Sequence, residues 1–189
     1  MLKPTIDFSK LRILIVENHA LMRRLLVEML RGFGVREIFQ ASSVRAAVEI
    51  VYGEELDAVI LDFFLDEMDG ADFAKRVRHD DRCANRQVPI LLITGMPDHH
   101  KVLKVLDAGI NGMLAKPIAP RDLYHRLHTM LASPKPFVIT NDYVGPMRNR
   151  TKPPVSKRLV RPPAFRAPEP PRRTPVEKPN AAYEDGILI

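Results

Sequence analysis

The chain has 189 residues, 46% of them hydrophobic, and a formal net charge of +6, enough for one ordinary domain plus extra material. Its one cysteine, Cys83, excludes an internal disulfide and a cysteine-based zinc site. No signal-peptide pattern opens the chain and no apolar run approaches the roughly 20 residues of a membrane helix, so a cytoplasmic protein without a membrane span is expected.

After a lead-in at residues 1–10, short apolar runs alternate with helical periodicities. Residues 13–16 are four aliphatic residues in a row, a buried strand. Met22, Leu25, Leu26, Met29, Leu30 and Phe33 follow as one apolar helical stripe. Ile38 and Phe39 mark a second strand. Val44, Ala47, Val48 and Val51 form a second stripe, with Ser42 or Ser43 as its cap. Residues 58–61 are a third strand and lead directly into Asp62. A third helix is predicted over residues 71–78 and a fourth strand over residues 88–93, ending at Thr94. Asp98 can cap a fourth helix bearing Val102, Val105, Leu106 and Gly109. Residues 113–115 are a short fifth strand. Pro120 opens a fifth helix with Leu123, Leu127, Met130 and Leu131 facing the core.

Five strand–helix pairs in about 120 residues predict an α/β fold. Strands that are apolar throughout, rather than alternating, belong in a parallel sheet with helices on both faces. Such sheets bind ligands at the carboxyl ends of their strands. Those ends carry Glu17 and Asn18, then Asp62, then Thr94, then Lys116. Any one of them alone reads as a polar surface residue. Together they offer hard oxygen donors suited to Mg²⁺, a hydroxyl and an ammonium suited to a phosphoryl group, and a carboxylate able to act as nucleophile.

The stretches Ile-Leu-Ile-Val-Glu-Asn-His, Val-Ile-Leu-Asp-Phe-Phe-Leu-Asp-Glu-Met-Asp-Gly, Pro-Ile-Leu-Leu-Ile-Thr-Gly and Ala-Gly-Ile-Asn-Gly-Met-Leu-Ala-Lys-Pro resemble, in order and spacing, the CheY-like receiver domain of bacterial response regulators. The resemblance covers residues 11–132. It implies a flavodoxin-like five-stranded sheet of order 2-1-3-4-5. It implies that Asp62 accepts a phosphoryl group from a histidine kinase or phosphotransfer protein. Glu17, Asn18, Asp62 and the backbone carbonyl of Phe64 would hold Mg²⁺. Thr94 and Lys116 would bind the phosphoryl oxygens, and the Lys116–Pro117 bond would be cis. Met113 would occupy the switch position, where the family usually has Tyr or Phe.

Three positions depart from the family pattern. Glu17-Asn18 stands where two aspartates or Glu-Asp are usual, so one charge is lost and weaker Mg²⁺ binding is expected. Met113 is flexible and defines a two-state switch less sharply. Asp66 stands where many receivers carry proline; it adds a negative charge near the pocket mouth but reads as a bland exposed loop residue.

Charge and proline shift abruptly near Ser133. Residues 1–132 hold 18 basic and 18 acidic side chains and 5 of the 17 prolines. Residues 133–189 hold 11 basic and 5 acidic side chains and the other 12 prolines. Residues 133–150 resemble the extension that some bacterial receivers carry, with a Pro-x-Pro-Phe segment and a Gly-Pro; docking through Phe137 and Tyr143 is expected. Residues 151–189 read as a basic, proline-rich disordered tail. It has no apolar periodicity for a helix-turn-helix, so sequence-specific DNA binding is not expected. Output through a downstream protein is expected, with a homodimer through the fourth and fifth helices as one form of it. The chain is expected to be no enzyme beyond self-catalysed phosphotransfer and dephosphorylation. The competing reading is a receiver-like binding module that works without phosphate; a hydrolase has no supporting motif.

Overall fold

The computed structural model describes residues 6–95, 99–148 and 158–160. The five apolar runs are strands β1 (Arg12–Val16), β2 (Glu37–Ala41), β3 (Ala58–Asp62), β4 (Ile90–Thr94) and β5 (Gly112–Ala115). They pair in parallel in the order β2-β1-β3-β4-β5. Every residue of β3 and β4 is buried, as strands covered on both faces must be.

Helices α1 (Ala20–Gly32), α2 (Val44–Gly53), α3 (Gly70–His79), α4 (His99–Asp107) and α5 (Pro120–Ala132) cover the sheet. Alternate strand residues point to opposite faces, and the core divides accordingly. Ile13, Ile15, Ile60, Leu91 and Ile93 pack with Leu26, Leu30, Leu123 and Leu127 of α1 and α5. Leu14, Val16, Val59, Leu61 and Leu92 pack with side chains of α2, α3 and α4. The Ser43 side chain accepts from the Ala46 backbone N–H and caps α2. Pro120 is the first residue of α5, where its missing N–H costs nothing. The proposed Asp98 cap lies outside the described residues.

On α4 Leu106 is 44% exposed, while Val105 and, just past the helix, Ala108 are buried. Two expectations change. The lead-in belongs to the domain: a 3-10 turn, Phe8–Lys10, buries Phe8 and stacks it on Tyr124 of α5 at 5.0 Å between centroids. The tail contributes a strand, β8 (Arg158–Val160). Residues 151–157 and 161–189, read as disordered, lie outside the described residues.

Residues 133–148 form a hairpin of β6 (Phe137–Ile139) and β7 (Val144–Pro146), with β8 on the other side of β6. Phe137, Val138 and Val144 are buried. The hairpin rests on Arg78, which is wholly buried at the end of α3. Its guanidinium donates to the carbonyls of Gly109 at 3.0 Å, Arg86 at 2.6 Å and Val88 at 2.7 Å, and to Asn111 Oδ1 at 3.1 Å. The Phe137 ring lies 5.5 Å from it. Burial pushes its pKa down to about 9, so it stays charged at neutral pH. On the far side, Arg148 lies over the Tyr143 ring at 3.9 Å, bonds the Leu106 carbonyl and pairs with Asp107 at 3.0 Å.

Gly109 makes this contact possible. Its φ is +72°, and a Cβ there would lie 2.3 Å from the Val144 carbonyl oxygen. Gly109→Ala is therefore expected to cost about 1–3 kcal/mol. It should lower the urea midpoint and selectively deprotect the amides of residues 137–146 in hydrogen exchange.

Candidate functional site

The parallel register brings four strand ends to one rim. Val16 pairs with Leu61, Asp62 with Ile93 and Thr94 with Ala115. Asp62 is the last residue of β3 and is 4% exposed. Thr94 is the last residue of β4 and is fully buried, and its carbonyl accepts from the Lys116 N–H at 2.8 Å. Glu17 and Asn18 follow β1, and Lys116 follows β5 with a cis bond to Pro117.

Lys116 joins the carboxylates. Its Nζ lies 2.9 Å from Glu17 Oε2 and 2.9 Å from Asp62 Oδ1. Glu17 is almost wholly buried, and its Oε1 also accepts from the His19 N–H at 3.1 Å. Arg23 holds the Glu17 carbonyl at 2.8 Å. Burial pushes the Asp62 pKa up; the neighbouring Glu17 charge adds to this, and Lys116 opposes it. Burial pulls the Lys116 pKa down, but its bonds to Glu17 and Asp62 outweigh that and hold it above the usual value.

Two buried carboxylates thus face one ammonium. The Oδ1 atom of Asp62 is shut off from solvent, and the Lys116 contact lies off the line of a hydrogen bond. A pocket with excess negative charge, a buried carboxylate oxygen short of donors and hard oxygen ligands fits a small divalent cation.

Asn18, the third polar group of that corner, is half-buried, and its Nδ2 donates to Asp66 Oδ1 at 2.8 Å. Asp66, read as a bland loop residue that adds charge near the pocket mouth, therefore has a partner in the site. Phe64 lies two residues past the end of β3, and its ring is 51% exposed. Met113 is half-buried on β5, opposite Leu92, and packs against the α2–α4 side of the core.

The start of α3 presses on the acceptor. Asp69 caps the helix through the Asp72 N–H at 3.0 Å, and the Gly70 N–H donates to the Phe63 carbonyl at 2.8 Å. A Cβ on Gly70 would lie 2.3 Å from the Asp62 carbonyl oxygen. Gly70→Ala should therefore displace the end of β3 and destabilise the protein by about 1–3 kcal/mol, readable as a lower urea midpoint.

Sequence reasoning brought together Glu17, Asn18, Asp62, Thr94 and Lys116, and the structure places all five on one rim. It did not foresee the Asn18–Asp66 bond or how closely Gly70 approaches the Asp62 carbonyl, although Met68-Asp69-Gly70 resembles the family's turn into the third helix. No local signal pointed to a pair 48 residues apart in the chain.

The fold and this rim define a doubly wound α/β protein with a carboxylate–lysine pocket at its strand ends. The model of the response regulator receiver domain matches residues 13–128, and the chain belongs to that family. It is 29% identical over 124 residues to the chemotaxis protein CheY1 of Helicobacter pylori, covering 65% of this chain and 98% of the relative. A putative response regulator from Chloroflexus aurantiacus superposes with a TM-score of 0.60 at 34% identity, covering 65% of this chain and 98% of the other. The receiver domain of a sensor histidine kinase from Pseudomonas aeruginosa, solved with magnesium coordinated in its active-site cleft, gives 0.59 at 28% identity, with coverage of 65% and 98%.

Proposed function

We propose that the chain is a two-component response regulator that takes a phosphoryl group on Asp62 and signals by binding another protein. The observation that carries this is the Lys116 ammonium held 2.9 Å from both Glu17 and Asp62 at the rim. A carboxylate oxygen of Asp62 bonds to phosphorus as the donor's phosphorus–nitrogen bond breaks, giving an acyl phosphate. A histidine kinase or phosphotransfer protein supplies the group. Lys116 then pairs with the new phosphoryl oxygens, and the Thr94 hydroxyl, at the neighbouring strand end, donates a hydrogen bond to one of them. Hydrolysis returns the carboxylate and inorganic phosphate, so the chain turns over only its own modification.

Glu17, Asn18, Asp62 and the Phe64 carbonyl would hold Mg²⁺. When bound, the ion supplies charge neutralisation at the transferring group. The loss of one carboxylate at Asn18 points to weaker binding than a pocket with three would show.

Leu103 and Leu106 are exposed on α4 and support output through the α4–α5 face, to a downstream protein or a second copy. Met113 would couple that face to Thr94 from the adjacent strand. Among the described residues no helix is long and apolar enough to cross a membrane; the reading places the protein in the cytoplasm with its donors. The competing reading, a module that works without phosphate, draws on the neutral Asn18.

Incubation with Mg²⁺ and acetyl phosphate tests the choice. A mass gain of one phosphoryl group is expected. No gain at high Mg²⁺, and none from a cognate kinase, would favour the phosphate-independent module.

A further inference from the structure

We propose that Asp66 is a positioning residue of the metal site, which orients the Asn18 amide and supplies the negative charge that Asn18 lacks. The inference rests on the reading that the pocket holds Mg²⁺.

An asparagine side chain has two ends of nearly equal shape and opposite character. Its oxygen attracts a cation and its NH₂ repels one. A carboxylate in place of Asn18 would present oxygen whichever way it turned, and would need no orienting partner. Asn18 needs one. Asp66 provides it, because an ionised carboxylate only accepts and so takes the NH₂ end, at 2.8 Å. The amide oxygen is left as the end a cation can use.

The charge follows the same logic. Glu17, Asp62 and Lys116 together carry one net negative charge. Asp66 adds a second. The pocket mouth then holds three carboxylates and one ammonium, the balance it would have with a carboxylate in place of Asn18. Asp66 is exposed and is not buried against anything that would explain a structural role. The charge at position 66 matters because position 18 is neutral, so the two effects must be coupled.

Mg²⁺ affinity of the full chain, measured by calorimetric titration with MgCl₂, tests this in a double-mutant cycle. Asp66→Ala should weaken binding about tenfold in the natural background. In the Asn18→Asp background the same substitution should change affinity by less than about threefold, because the carboxylate then needs no orienting and repels Asp66. Asp66→Glu, which keeps the acceptor, should retain most of the natural affinity. Thermal unfolding without Mg²⁺ should be unchanged in Asp66→Ala and Asp66→Glu, which separates orientation from loss of fold. An unchanged affinity in Asp66→Ala would overturn the proposal. So would equal weakening in both backgrounds, which would mark Asp66 as a remote charge with no hold on Asn18. If the natural chain gave no Mg²⁺ heat at all, the metal reading itself would fall, and this inference with it.

Discussion

Asp62→Asn takes up no phosphoryl group from acetyl phosphate, a fall in rate of at least about a thousandfold for loss of the attacking group. The amide keeps the shape of the carboxylate but offers no nucleophilic oxygen. No neighbour can replace it well. Glu17 is buried and engaged by both Lys116 and the His19 N–H, and Asp66 is occupied by Asn18. The fold should survive, because Lys116 keeps its bond to Glu17. The sign of the pH effect makes the experiment sharper. Burial raises the Asp62 pKa in the folded state above its ordinary 3.8. The folded chain therefore binds that proton more tightly than the unfolded chain does. The stability this group contributes is complete below that value and is lost as pH rises through the folded pKa. Asp62→Asn removes this dependence. Denaturant titrations across the acid range should show the variant gaining on the natural chain as pH rises through that window. Intact-mass measurement of phosphoryl uptake reads the first effect directly; substantial uptake by the variant would remove Asp62 from its role.

Arg78→Met should destabilise the protein by about 3 kcal/mol or more. The thioether fills the stem's space but leaves the carbonyls of Gly109, Arg86 and Val88 without the donor they share. Asn111 Oδ1 loses one of two partners and keeps the Ile90 N–H at 2.9 Å. Arg78→Lys should recover little, because an ammonium cannot spread donors over a planar fork. The damage should reach the hairpin, since Phe137 loses the cation it lies against. Urea unfolding gives the global cost, and hydrogen exchange over residues 137–146 gives the local one. A loss below about 1 kcal/mol would mean that water satisfies these carbonyls.

The sheet and the pocket were legible for one physical reason. A buried parallel strand must be apolar along its whole length, and its end must change abruptly to whatever the site needs. Glu17, Asp62, Thr94 and Lys116 each stand at such a change. Arg78 was not legible. An arginine near the end of an amphipathic helix looks like a solvated charge, and its partners are mostly main-chain carbonyls, which carry no mark in the sequence. The Asn18–Asp66 pair was hidden differently: each residue was noticed alone, one as a deficit and one as a bland substitution.

Helices and parallel strands run in opposite directions here, so the C-terminal end of α4 lies at the edge of the sheet away from the pocket. Arg148 is fastened there, to Leu106 and Asp107. Arg148 itself therefore lies at the pole opposite Asp62. A fragment trimmed at residue 132 would expose the surface on which that anchor rests, so shortened chains should not be cut before Arg148, and a cut before Val160 also removes the strand β8 from beside β6.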